Sequence, residues 1–267
     1  MLLAKSCFSK DHVNKRKTIR LGTLDYYKKT VHEQIVDKEE GEISFHVKFD
    51  ERVTVSTPAF NTLFWGMMHL GEDHGENPPY EGYITTHVKH LQLHTYTKST
   101  ATILSADATI KQTHHNNFIF CMSRVEKAED AKGIFPEYDD YWYLNEENAE
   151  EFGGKVSVAL HKHITDAHAA GNNILPNGIN PSDVEVYFQC NEVYYLPREV
   201  HINNSNASQL EELVKQMAHK AFTKPIPYEP EKEFRFVYTL VHNKTIISPT
   251  TDSAILDISE LMPLLFW

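Results

Sequence analysis

The segment Tyr228-Glu-Pro-Glu-Lys-Glu-Phe-Arg-Phe-Val-Tyr238 contains the clearest strand of the chain. From Glu233 to Leu240 every second residue is aromatic or leucine, and successive side chains of a strand point to opposite faces. The face expected to enter the core consists of Phe234, Phe236, Tyr238 and Leu240. Glu231, Glu233 and Arg235 are expected on the other face, where two neighbouring carboxylates raise each other's pKa. Such a pair suggests chemistry, although this segment alone favours an exposed face on which Glu and Arg pair across strands.

The neighbouring sequence predicts further strands, a few helices and one loop. Alternating or continuous apolar runs predict a central buried strand at Phe118–Met122. They predict other strands at Ile19–Leu24, Ile43–Phe49, Arg52–Thr57, Lys155–Leu160, Asp183–Gln189 and Glu192–Leu196. Two hairpins are expected, one from Ile43–Phe49 and Arg52–Thr57 and one from Asp183–Gln189 and Glu192–Leu196. Residues 8–17 predict a short helix capped by Ser9, and residues 71–82 a surface loop.

The clearest helix is predicted from Gln209 to Phe222. Ser208 and Glu211 have the spacing of a capping box, and an apolar stripe at helical spacing follows them. Many strands and few helices favour an α+β fold with a central mixed, mostly antiparallel sheet. The chain has 267 residues with no linker-like composition, so we expect one domain over 1–267.

Composition narrows the classes of function. The net charge is −11, from 26 Lys and Arg against 37 Asp and Glu, which disfavours a general nucleic-acid coating protein. Positive charge is concentrated near the start, and a solvated helix face or a local basic cleft would explain it; the residues are Lys10, Lys15, Arg16, Lys17 and Arg20. No apolar run is long enough for a membrane span, no secretory signal is evident, and Cys7, Cys121 and Cys190 are widely spaced. We therefore expect a cytoplasmic protein that does not bind membranes.

Two segments far from the Glu-x-Glu pair carry side chains suited to nucleotide binding. Arg20-Leu-Gly-Thr23 is followed by Tyr26 and Tyr27. Arginine suits bidentate contact with phosphate, and an aromatic ring can stack on a flat ring. The predicted strand Phe118–Met122 ends at Ser123, where a sheet can open to a cleft.

An arginine, a serine and a Glu-x-Glu pair on separate strands, in that order, resemble the Arg-Ser-Glu arrangement of the ADP-ribosyltransferases. The same segments resemble those of poorly characterised bacterial toxin and defence-associated proteins. Their shared pattern includes an acidic patch (here Asp37, Glu40 and Gly41) and a late K-P…Y…E-x-E-x-R segment. The resemblance covers about a quarter of the chain. One departure is Cys-Met-Ser-Arg in place of the usual Ser-Thr-Ser.

The resemblance implies a sheet split around a cleft, with NAD as substrate and no metal. Glu233 would stabilise the positive ribose, and Glu231 would position or deprotonate the acceptor. Arg20 would hold the diphosphate of NAD, Ser123 would brace the pocket, and Thr23, Tyr26 and Tyr27 would complete the binding site. The implied protein is a toxin or anti-phage defence effector that modifies a macromolecular acceptor, either protein or nucleic acid. An antitoxin or another regulatory protein would be a possible partner.

Two alternatives remain open at this point. The chain is alternatively a non-enzymatic interaction or sensor module of such a system, with the same residues scattered or held in salt bridges. The 16 histidines suggest the second alternative, a metal-dependent hydrolase. His161 and His163, placed two apart at the end of a predicted strand, would share one face and bind a metal with Asp166 and His168. No familiar zinc-binding spacing supports that site.

Overall fold

The computed structural model describes residues 1–30, 37–64, 66–71, 82–217 and 220–267. Its contacts group the chain into two compact units. The first comprises Met1–Glu40, His115–Tyr195 and Lys224–Trp267, and the second comprises Gly41–His114 and Leu196–Thr223. The expectation of a single ADP-ribosyltransferase-like domain over residues 1–267 stays a prediction.

The described residues are rich in strands. In chain order the strands are β1 (Leu2–Cys7), β2 (Thr18–Thr23), β3 (Glu42–Phe49), β4 (Val53–Ser56), β5 (Gly82–Tyr96), β6 (Thr100–His114), β7 (Phe118–Val125), β8 (Asp140–Asn145), β9 (Val184–Glu192), β10 (Tyr194–Leu196), β11 (Glu199–Asn203), β12 (Thr223–Pro225), β13 (Glu233–His242), β14 (Thr245–Ile247), β15 (Ser253–Asp257) and β16 (Leu265–Phe266). The helices are α1 (Val13–Arg16), α2 (Leu24–Lys29), α3 (Thr57–Leu63), α4 (Ala149–Ala169) and α5 (Leu210–Met217), with short 3₁₀ turns between elements. This composition confirms the predicted α+β class with mostly antiparallel sheets and few helices.

The first unit is built on a nine-stranded sheet whose centre is β7. One side of β7 pairs with β13 over Phe118–Ser123. The other side pairs with β2 only through Phe118 and Ile119, and with β1 only through Ser123–Val125. The described strands therefore leave Phe120–Met122 unpaired on that side, and the sheet is split there, as expected.

Helix α4 covers one face of this sheet. Phe152, Val156, Leu160 and Ile164 recur every four residues and are fully buried with the aromatic residues of β13. Gly153 permits the close approach, because a Cβ atom there would lie 2.6 Å from the ring of Phe188.

The strand predicted at Lys155–Leu160 is wrong, because these residues belong to α4. Its short alternation of Val156, Val158 and Leu160 is outweighed by the longer helical period, and Val158 is 70% exposed.

The second unit contains a five-stranded sheet of β3, β4, β5, β6 and β11. The predicted hairpin of residues 43–49 and 52–57 is wrong, because β6 is long enough to pair with both β3 and β4 along one edge. In this sheet β3 also pairs in parallel with β11. Gly82 begins β5, and residues 72–81 of the predicted loop lie outside the described residues.

Four local predictions at helix ends and turns are corrected. The Glu211 carboxylate, expected to close the capping box, accepts hydrogen bonds from the backbone N–H and hydroxyl of Ser56 instead. Helix α5 ends at Met217, earlier than predicted, and Ala218 lies outside the described residues. The second predicted hairpin is also wrong, because β9 pairs with β13 and β10 with β12. Residues 8–17 form a 3₁₀ turn at Ser9–Asp11 and then α1, so they are not one helix.

Candidate functional site

A cavity of about 710 Å³ opens in the first unit at the split in the nine-stranded sheet. This volume lies in the range of small-molecule sites. The predicted site residues that line it are Arg20, Tyr26, Tyr27, Ser123, Glu231 and Glu233. They come from different elements, so only the fold brings them together. Thr23 does not line the cavity and is fully buried.

Thr23 has a structural task beside the cavity. Its hydroxyl oxygen accepts a hydrogen bond from the N–H of Tyr26, which caps the start of α2, and the hydroxyl donates to the carbonyl of Asp252. The cap turns the chain so that Tyr26 and Tyr27 lie over Gly22. A Cβ atom at Gly22 would come within 2.8 Å of the Tyr26 ring and 3.0 Å of the Tyr27 ring. The glycine of the Arg-Leu-Gly-Thr motif therefore makes room for both rings.

The two carboxylates of the Glu-x-Glu pair are held by one lysine. Glu231 ends a 3₁₀ turn over Ile226–Glu231, and Glu233 is the first residue of β13. The prediction that Glu231 is part of the strand is therefore wrong. Lys232 between them has a left-handed backbone with φ 47°, which changes the direction of the chain. Lys224 Nζ lies 2.6 Å from Glu231 Oε2 and 3.0 Å from Glu233 Oε2, so both carboxylates point to the same place.

Arg235 extends this cluster into the core. Its Nε donates to Glu233 Oε1 at 2.6 Å, and its Nη1 donates to Glu40 Oε1 at 3.0 Å. The guanidinium is only 2% exposed, so the flanking carboxylates are needed to balance its charge. Glu40 belongs to the acidic patch of the sequence pattern, and this contact gives that patch a structural role. The result is a buried chain of alternating charges, which we call the carboxylate network: Glu40, Arg235, Glu233, Lys224 and Glu231.

The carboxylate network gives Glu231 and Glu233 different pKa values. Burial raises the pKa of Glu231 to about 7, because Lys224 only partly offsets the burial and the charge of Glu233 adds to it. Burial also acts to raise the pKa of Glu233, but Arg235 and Lys224 together outweigh it and hold that pKa well below its usual range. Two nearby carboxyl groups with separated pKa values are suited to different roles in one reaction.

Further contacts fix Glu233 from the backbone side. Its N–H donates to the phenol oxygen of Tyr195 at 2.7 Å. In the strand register Glu233 lies opposite Ser123, which is buried at the point where β1 and β7 separate. The Cys121 thiol donates to the Glu233 carboxylate, and burial raises the pKa of that thiol above its usual range. Cys121 is therefore a protonated donor here.

Lys5 fills the gap in the split sheet. Its Nζ donates at 2.7 Å to the carbonyl oxygen of Cys121, which lies in the stretch of β7 that neither β1 nor β2 pairs. The same ammonium lies 4.9 Å from the centre of the Phe120 ring. Burial lowers the pKa of Lys5, although nearby groups including Glu233 counter this. Sequence reasoning missed Lys5, since nothing in its local pattern distinguishes it.

The part of the cavity wall that is formed by residues 10–20 carries three cations. Lys10, Arg16 and Arg20 line it, so three of the five cations that the sequence concentrates there face the cavity. Arg20 is exposed. Arg16 donates to the carbonyl of Lys10 and pairs with Asp11 at 3.4 Å, which keeps these side chains at the cavity wall.

The histidines predicted as metal ligands lie elsewhere. His161 and His163 belong to α4, where residues two apart point to different sides of the helix. The expectation that they share one strand face is therefore wrong. Across the described ranges, no group of three or more His, Cys, Asp or Glu side chains is arranged to hold a metal ion. No helix in the described part of the chain has the length and apolar composition needed to span a membrane.

Comparison with known proteins gives no relative for this chain: no family model, no curated protein and no solved structure matches it.

Proposed function

We propose that the protein is an ADP-ribosyltransferase-like enzyme that transfers ADP-ribose from NAD to a macromolecular acceptor, either protein or nucleic acid. The observation that carries this proposal is the convergence of Arg20, Ser123 and Glu233 on one cavity at the split of a sheet. These residues are more than 200 positions apart at the extremes, so their convergence is a property of the fold. The resemblance that the sequence suggested required this convergence.

Glu233 is suited to stabilise a positively charged ribose. When the bond between ribose and nicotinamide breaks, its electron pair leaves with the nicotinamide nitrogen and positive charge develops on the ribose. A fixed carboxylate stabilises that charge best when it remains ionised and needs no reorientation. The depressed pKa of Glu233 and its bonds to Arg235 and Lys224 meet both conditions.

Glu231 is suited to move the proton of the acceptor. With a pKa of about 7, it is partly ionised near neutral pH and can both accept and release a proton. In the transfer step the acceptor heteroatom forms the new bond to the ribose carbon, and its proton passes to the Glu231 carboxylate. Arg20 would bind the diphosphate, Tyr26 or Tyr27 would stack on the nicotinamide, and Ser123 would brace this end of the cavity.

The proposed setting is a cytoplasmic toxin or anti-phage defence effector, with an antitoxin or another regulatory protein as a possible partner. Its basis is the ordered set of segments shared with toxin and defence-associated proteins.

A second candidate is an interaction or sensor module without chemistry. The observation that favours it is the burial of Glu233, which is only 5% exposed and bonded to both Arg235 and Lys224. A carboxylate held in this way can serve stability alone. Such a module would bind a nucleotide without cleaving it.

The test is incubation of the purified protein with labelled NAD and a bacterial cell extract, followed by measurement of released nicotinamide and of label in macromolecules. We expect transfer that is lost by 100-fold or more in Glu233→Gln, in keeping with loss of a transition-state charge contact, roughly 100- to 1,000-fold. Glu260→Gln, an exposed carboxylate outside the cavity, is the matched control and should retain activity. Digestion with nuclease or protease then identifies the acceptor.

Two results would overturn the enzymatic proposal. The first is NAD binding, measured by calorimetry, without any nicotinamide release, which would favour the interaction module. The second is label transfer that Glu233→Gln leaves unchanged, which would place the chemistry elsewhere.

A further inference from the structure

Three aromatic rings form a second ring-lined surface of the cavity. We call Phe8, Phe135 and Tyr138 the aromatic cluster. The Phe8 and Tyr138 rings are 5.0 Å apart, and the Phe135 and Tyr138 rings are 6.2 Å apart, in both cases edge to face. All three line the cavity, and Phe8 is 38% exposed. An aromatic ring exposed to this extent inside a cavity offers a surface on which a flat ligand can stack.

Two hydrogen bonds between Ser9 and Asp139 hold this cluster in place. Asp139 accepts two hydrogen bonds from Ser9, one from its backbone N–H at 2.7 Å and one from its hydroxyl at 2.9 Å. These bonds join the residues directly after Phe8 and Tyr138, so they fix the two rings beside each other. They also lower the pKa of the Asp139 carboxyl.

Cations lie beside the aromatic cluster. Lys10 Nζ is 5.5 Å from the centre of the Phe8 ring. Burial raises the pKa of Tyr138, and the positive charge of Arg20 acts against that rise, so Arg20 lies within electrostatic range of the cluster. Arg20 also precedes Gly22 by two residues on β2, and therefore shares its face. Since Tyr26 and Tyr27 lie on Gly22, the Arg20 guanidinium is near both ring-binding surfaces.

The carboxylate network lies beside Tyr27. The charges of Glu233 and Arg235 both act on the pKa of Tyr27, whereas the charges that act on Tyr138 are those of Tyr26, Glu137, Cys7 and Arg20. The bond to be broken must lie beside Glu233, so the nicotinamide belongs near Tyr26 and Tyr27. Tyr26 and Tyr27, the cations Lys10 and Arg20, and the aromatic cluster all line this one cavity, which therefore offers a dinucleotide two ring-binding surfaces and positive charge for its diphosphate.

We propose that the aromatic cluster is the subsite for the adenine ring of NAD, with Phe8 as the stacking surface and Lys10 and Arg20 beside the diphosphate. This inference rests on the proposed function, because it assigns the second ring of the same dinucleotide. It goes further in naming a part of the site that neither the sequence pattern nor the carboxylate network indicates.

The test measures binding of three probes by calorimetry: ADP, nicotinamide mononucleotide and inorganic pyrophosphate. Phe8→Ala should weaken ADP binding by about 5- to 150-fold, the range found when a base loses an aromatic stacking partner. The same variant should leave the affinities for nicotinamide mononucleotide and pyrophosphate within about twofold, because neither probe carries the adenine ring. The matched control is Phe266→Ala, since Phe266 is also 38% exposed but packs on Tyr143 and does not line the cavity.

Two results would overturn the assignment: unchanged ADP affinity in Phe8→Ala, or loss of nicotinamide mononucleotide affinity instead of ADP affinity. The outcome is separable from the proposed chemistry. If ADP binding depends on Phe8 but NAD is not cleaved, the subsite stands and the transferase proposal fails. If NAD is cleaved equally well by wild type and Phe8→Ala with unchanged KM, the chemistry stands and the subsite fails.

Discussion

Replacement of Arg235 by methionine should cause a large loss of stability, because it leaves two buried carboxylates without their shared cation. Arg235, Glu233 and Glu40 are 2%, 5% and 3% exposed, and their oxygen–nitrogen distances are 2.6 and 3.0 Å. Removing one partner of a buried ion pair typically costs about 3–5 kcal/mol. In a protein of this size each kcal/mol lowers the melting temperature by about 2–4 °C. The expected decrease is therefore about 6–20 °C.

The assay is thermal unfolding followed by circular dichroism at pH 7, supported by urea unfolding. Lys29→Met is the matched control, since it removes a cation from a pair with Asp252 in which both side chains are more than half exposed. That control should cost about 1 kcal/mol or less. Adding Glu40→Gln to Arg235→Met should restore about 1–2 kcal/mol, because one stranded charge is removed. A decrease for Arg235→Met no larger than that of Lys29→Met would refute the view that this network depends on charge balance.

The remaining predictions concern packing and protonation. Gly153→Ala and Gly154→Ala alter adjacent positions of α4 and should have opposite effects on stability. The Cβ atom of Gly153→Ala would lie 2.6 Å from the Phe188 ring, so this variant should be destabilised by about 1–3 kcal/mol. The Cβ atom of Gly154→Ala would lie 3.6 Å from the same ring, an ordinary contact, so this variant should be stabilised by about 0.5–1 kcal/mol because alanine favours a helix. Equal melting temperatures for the two variants would contradict the contact argument. The raised pKa of Glu231 means that the folded state holds this proton more tightly than the unfolded chain does. The contribution of the protonated Glu231 to the free energy of unfolding is therefore fully present below about pH 4.5 and is lost as the pH rises through about 7. Relative to Glu231→Gln, the wild type should lose on the order of 3 kcal/mol between pH 4.5 and 8. Urea unfolding at a series of pH values measures this difference, and a constant difference across the range would argue against a buried, titrating Glu231. If Glu231 is the base, nicotinamide release should also increase with pH with a midpoint near 7 in the wild type, and this dependence should be absent in Glu231→Gln.

Local patterns in the sequence predicted several elements correctly. The strand beginning at Glu233 and the central strand at Phe118 were predicted because alternation and continuous apolar runs reflect burial within a single element. The α+β class followed from the number of such segments. Predictions that depend on contacts with distant segments, such as which strands pair, failed more often. The strand expected at Lys155–Leu160 is a helix because the residues 152, 156, 160 and 164 pack together, which a six-residue window cannot reveal.

Residue type and order along the chain were enough to identify the candidate side chains Arg20, Ser123, Glu231 and Glu233. The fold was needed to show that these residues share one cavity, that Lys224 bridges both glutamates, and that Lys5 occupies the gap between β1 and β2 beside β7. The physical reason is that a charge acquires its role from burial and from its partners. Glu231 and Glu233 are identical residues two positions apart; burial acts to raise the pKa of both, and Arg235, which pairs with Glu233, keeps that pKa low together with Lys224.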